Sequence, residues 1–124
     1  MRVVTAHKGK RAMVCTVKGL SCHSSLMNQG VNAVEYAAEL ISFIRRKGSS
    51  LRLASQDSDQ PPEVVNSRRG FDPPYSTFQS TVVRGGTALN IIPKECRFEY
   101  ELRYIPCDNP NGTEQYTVLF SLFV

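Results

Sequence analysis

The chain has 124 residues, 41% of them apolar and 21% charged, which is enough for one domain with a buried core and too few for two of ordinary size. Fifteen Lys and Arg stand against eleven Asp and Glu, and the formal charge of +4 is spread without any block of like sign, which argues against a nucleic-acid-binding arm. No segment approaches the roughly 18 apolar residues of a membrane span, and Met1-Arg2-Val3-Val4 does not lead into the apolar core of a signal peptide. A cytoplasmic protein without a membrane partner is therefore expected.

Residues 1–10 read as a basic lead-in, ending in His7-Lys8-Gly9-Lys10. From Arg11 to Lys18, Ala12, Val14 and Thr16 alternate with Met13, Cys15 and Val17. Both sets are small or apolar, the pattern of a strand well inside a sheet. Gly19 ends the strand and opens a first polar loop, Gly19-Leu20-Ser21-Cys22-His23-Ser24-Ser25. Asn32 followed by Glu35 gives a capping-box pattern, and Val34, Ala37, Ala38, Ile41 and Ile44 recur at helical spacing. Arg45, Arg46 and Lys47 suit the negative end of the helix dipole and Gly48 predicts a stop. Residues 49–74 carry four prolines and little periodicity and read as a surface insertion.

Ser76 to Arg84, rich in Thr and Val, predicts a second strand, broken at Gly85-Gly86. A second polar loop follows, Arg84 to Pro93. From Glu95 to Tyr104, Cys96, Phe98, Tyr100, Leu102 and Tyr104 alternate without exception with Glu95, Arg97, Glu99, Glu101 and Arg103, the mark of a strand with one buried and one wet face. The order strand, helix, strand, strand predicts an α+β domain over residues 11–107. Its expected form is a ferredoxin-like two-layer sandwich, a four-stranded antiparallel sheet with two helices on one face. Residues 108–124 are too short for both a second helix and a fourth strand. Either the domain is cut within its last elements, or the run Tyr116 to Val124 is a strand in place of the helix.

The chemistry-bearing residues are few. Cys15, Cys22, Cys96 and Cys107 match no zinc spacing and read as reduced thiols, and no cluster of His, Asp and Glu could hold a metal. His23 beside Ser24 and Ser25 invites a nucleophile, yet no orienting acid lies nearby and turn hydrogen bonds account for both serines. Asn90 can bond its own turn. Arg103 can pair with Glu99 or Glu101 on the wet face.

Five segments together carry a resemblance: Gly19 to Ser25 (GLSCHSS), Gly30 to Ile41 (GVNAVEYAAELI), Pro73 to Tyr75 (PPY), Val83 to Cys96 (VRGGTALNIIPKEC) and Phe98 to Pro106 (FEYELRYIP). In order and spacing they resemble the lid or dimerisation domain of the M20 family of zinc-dependent amidohydrolases and peptidases, most closely its acetylornithine deacetylase branch. The resemblance implies a parent enzyme whose separate catalytic domain, absent here, holds zinc or cobalt; this stretch holds no cofactor and is expected to be inactive alone. It implies a homodimer through this domain, acting with its own catalytic domain on a small N-acylated amino acid. It also implies that His23 reaches the partner's active site to stabilise an oxyanion, and that Asn90 and Arg103 contact the substrate carboxylate. Other M20 activities, succinyl-diaminopimelate desuccinylase or metallo-carboxypeptidase, and a stand-alone assembly or ligand-sensing domain stay open. An RNA-binding sheet is disfavoured because Glu95, Glu99 and Glu101 stand where stacking aromatics would be needed.

Overall fold

The computed structural model describes residues 6–108, so the alternatives for the tail beyond them lie outside the described residues. In chain order these residues form β1 (Gly9–Lys18), β2 (Cys22–His23), a 3-10 turn (Ser24–Gln29), α1 (Ala33–Ser55), α2 (Pro62–Arg68), β3 (Thr77–Gly85), β4 (Ile91–Ile92) and β5 (Glu95–Tyr104). The long strands make an antiparallel sheet in the order β1-β5-β3, with β5 paired on both sides. This is the α+β arrangement expected from the sequence, but among the described residues the main sheet has three strands instead of the expected four, and β2 and β4 pair separately.

The unbroken alternation of β5 explains its central place. Cys96, Phe98, Tyr100 and Leu102 all point to one face, where they meet Ala33, Ala37 and Ile44 of α1 and Phe78 of β3. Phe98 is fully buried, its ring 5.7 Å from that of Tyr100, while Tyr100 stands edge-on to Phe78 at 5.9 Å. On the opposite face Lys10, Glu101 and Arg103 form one ionic cluster and Arg84–Glu99 another. Such exposed pairs add little stability and chiefly keep the face soluble.

Asn32 caps α1, its Oδ1 accepting from the backbone N–H groups of Val34 at 3.0 Å and Glu35 at 3.3 Å. The helix does not stop at Gly48 but runs on to Ser55. A side chain at Gly48 would come within 2.5 Å of the Phe78 carbonyl oxygen, so this glycine serves a close crossing of α1 over β3, not a helix end. The span 49–74 is accordingly not a loop throughout: it holds the last turns of α1 and all of α2. Among the described residues β1 is an edge strand, contrary to the interior place expected from its composition. Its Met13, Cys15 and Val17 pack on the core, whereas Ala12, Val14 and Thr16 are exposed, being small enough to stand at a wet surface. Among the described residues no helix is long and apolar enough to cross a membrane.

Asp108 ties the excursion to the sheet. It accepts from Arg68 Nη2 of α2 at 3.2 Å and from the hydroxyl of the buried Ser76, which in turn accepts the Ile105 N–H at 3.0 Å. Asp108→Ala would leave the largely buried Arg68 guanidinium without its counter-charge. A loss of about 2 kcal/mol is expected, the size of a hydrogen bond between charged groups, and urea unfolding measures it.

Candidate functional site

Both polar loops lie at one end of the sheet. β1 and β5 stay in register to Lys18 and Glu95, and beyond them the Gly19 N–H donates to the Lys94 carbonyl at 2.8 Å. The two chain segments then pair again as β2 and β4, Cys22 opposite Ile92 and His23 opposite Ile91. The Ser24 N–H donates to the Asn90 carbonyl at 3.0 Å. Gly86 permits the approach of the second loop, since its φ of +83° is costly for any residue with a side chain. Two segments about seventy residues apart in sequence thus present His23 and Asn90 side by side.

His23 is the cap of the 3-10 turn. Its Nδ1 accepts the Ser25 backbone N–H at 3.2 Å and lies 2.7 Å from Ser25 Oγ. A backbone N–H is always a donor, so Nδ1 must be unprotonated and the neutral ring carries its proton on Nε2. Among the described residues Nε2 has no partner. The capping role and the donor role are therefore not rivals, because the cap selects the tautomer that presents an outward N–H. Ser25, read from sequence only as a turn serine, is the residue that fixes this; its place two residues after the histidine was the available signal. Cys22 Sγ contacts the Leu26 carbonyl at 3.3 Å and belongs to the turn. The Asn90 side chain is exposed and makes no hydrogen bond among the described residues.

Arg103 is elsewhere. It sits eight residues along β5 from Glu95, roughly 27 Å at the rise of an antiparallel strand, at the end where Gly9 faces Tyr104. Its Nε donates to Glu101 Oε1 at 2.9 Å, and Lys10 reaches the other oxygen of Glu101 at 3.5 Å. The hydrogen bond from Arg103, then the charges of Arg103 and Lys10, hold the Glu101 carboxyl below the usual carboxylate range. With Nε engaged, the terminal nitrogens of Arg103 form an open fork of the kind that grips a carboxylate. The structure brings His23 and Asn90 together and holds Arg103 apart from them within one chain.

Among the described residues no group of three or more His, Cys, Asp or Glu side chains could hold a metal ion. The zinc that the resemblance implies does not fit these residues.

Residues 5–117 match the family model of the M20 peptidase dimerisation domain. The chain is 32% identical over 112 residues to an acetylornithine deacetylase of Myxococcus xanthus, covering 90% of this chain and 27% of that protein. It is 26% identical over 106 residues to the acetylornithine deacetylase of Pasteurella multocida, covering 86% of this chain and 25% of the relative. Among solved structures, an aminobenzoyl-glutamate utilization protein from Klebsiella pneumoniae superposes with a TM-score of 0.64 at 16% identity, over 93% of this chain and 24% of that one. The chain thus spans about a quarter of the length of these relatives. Its fold, its paired polar loops and the family match over nearly its whole length agree: this chain belongs to the M20 family and is its peptidase dimerisation domain.

Proposed function

We propose that the domain joins two copies of a longer amidohydrolase and completes the active site of each with residues from both. The proposed substrate is an N-acylated amino acid, with N-acetylornithine the foremost candidate given the relatives, and the metal is proposed to lie in a part of the protein outside the described residues. The observation that carries this reading is the outward Nε2–H of His23, fixed by the Ser25 N–H. Hydrolysis of an amide builds negative charge on the former carbonyl oxygen only in the transition state, so a preset N–H there lowers the barrier without tightening substrate binding.

The proposed contact between copies is the edge of β3 that is unpaired among the described residues. Thr77 to Val83 carries no charge, whereas the free edge of β1 carries Lys10, Arg11 and Lys18, and charged edges resist pairing. A groove of about 440 Å³ runs along this edge between Ile41, Arg45 and Arg52 of α1 and Gln79 and Ser80 of β3, and the Ser80 hydroxyl is buried there without a partner among the described residues. Two β3 edges related by a two-fold axis run antiparallel. The Gly85 end of one strand then lies at the Thr77 end of the other, because β3 spans the sheet from the Arg103 end to the Cys96 end.

The consequence concerns the site. In such a dimer His23 and Asn90 of one copy stand at the same end of the joint sheet as the partner's Arg103. The two β5 strands are separated by three strand spacings, about 14 Å, against roughly 27 Å within one chain. Arg103 lies where β1 begins and β5 ends, and so serves the catalytic part of its own subunit, while His23 and Asn90 serve the partner's. In the full-length protein Arg103→Ala is expected to raise KM for an acyl amino acid by about tenfold or more, the worth of a charged hydrogen bond, and to leave KM for the corresponding amide nearly unchanged. Equal effects on acid and amide would refute carboxylate binding.

A further inference from the structure

We propose that the groove at the start of α1 binds a primary aliphatic ammonium group together with the methylene chain that carries it. The groove, about 370 Å³ and within the size range of small-ligand sites, opens between the 3-10 turn, the first turn of α1 and the loop before β4. Met27, Val31, Leu89 and Ile91 form apolar walls. They are not covered by the domain: Leu89 is fully exposed and Met27 is 74% exposed, on loops where polar residues would be expected.

Among the described residues Glu35 is the one acidic residue lining the groove, and no Lys or Arg lines it, although cations exceed anions along the chain as a whole. The sequence pattern suggested that Glu35 would close a capping box by reaching back to Asn32. Only the Asn32 half of that box forms, and among the described residues the Glu35 carboxylate has no ion-pair partner. A single carboxylate among apolar side chains does not suit a metal ion, which needs several ligands, and it repels anions. It suits a chain of a few methylenes ending in an ammonium, whose stem buries against Met27, Val31 and Leu89 while the charge meets Glu35. Ser24, the neighbour of His23, lines the same groove, so an ammonium side chain seated here extends from the end of the domain that presents the imidazole. The role of the groove as a substrate subsite rests on the function proposed above; the binding itself does not.

Titration of this chain with n-butylammonium, followed by backbone amide NMR, tests the binding. Saturable shifts at Gly30, Val31, Glu35 and Leu89 are expected, with affinity falling about fivefold in Glu35→Gln, the worth of a partly exposed ion pair. Equal shifts with n-butanol, or equal affinity in Glu35→Gln, would overturn the ammonium assignment. In the full-length protein, the ratio of kcat/KM for Nα-acetylornithine to that for Nα-acetylnorvaline should fall about fivefold in Glu35→Gln, through loss of the cationic substrate alone. A ratio unchanged by the substitution would overturn the subsite. Failure of the His23 assignment is read separately, as a His23→Ala enzyme with full kcat and an intact substrate preference.

Discussion

Replacing His23 with Ala in the full-length protein is expected to lower kcat by about two to three orders of magnitude, the usual cost of removing one oxyanion donor. KM should change little, since the N–H bonds an oxygen that becomes strongly charged only in the transition state. The substitution also removes the cap of the 3-10 turn, at a cost of about 1 kcal/mol of stability. His23→Asn separates the two effects. An Asn side chain can accept the Ser25 N–H and restore the cap, but it is too short to place a donor where Nε2 stood. It should therefore recover stability without recovering kcat. A His23→Ala enzyme with unchanged kcat would reduce the imidazole to a turn cap.

Phe98→Ala is expected to destabilise the domain by about 3–5 kcal/mol, because it empties the centre of a close-packed layer. Phe98 is fully buried on the central strand, against Tyr100 and beneath α1. A loss of that size is a large part of the 5–15 kcal/mol that holds a typical domain together, and it should appear as a much lower urea midpoint. Val14→Ala, on the wet face of β1, should change stability by no more than about 0.5 kcal/mol. Similar costs at the two positions would contradict the assignment of β5 to the middle of the core.

The difference between these positions was legible in the sequence for β5 and not for β1. Strict alternation over Glu95 to Tyr104 leaves one reading, whereas β1 has small or apolar residues on both sides and its exposure depends on neighbours that local pattern does not specify. The start of α1 was equally plain, since the Asn32 cap is a contact between residues two and three apart. Its end was not. Gly48 looks like a stop, and only the crossing of β3 over the helix shows that the glycine answers to the Phe78 carbonyl. The site divides in the same way. His23 and Asn90 could be singled out by their glycine-marked loops, but their meeting depends on the two-residue ladder between β2 and β4. The remoteness of Arg103 follows from counting residues along β5, yet it gains meaning only once the order β1-β5-β3 shows which edges are free among the described residues.

The division of labour between two copies is tested most directly by mixing full-length His23→Ala and Arg103→Ala subunits and assaying an acyl amino acid well below KM, where the first is nearly inactive and the second keeps about a tenth of wild-type activity or less. If His23 acts across the dimer and Arg103 within its own subunit, one site of each mixed dimer receives both intact side chains and the other receives neither. Subunit exchange should then restore activity to about half that of the wild-type dimer, per mixed dimer formed. If both side chains served the same subunit's site, every site in the mixture would keep one defect, and activity would stay at the level of the separate variants.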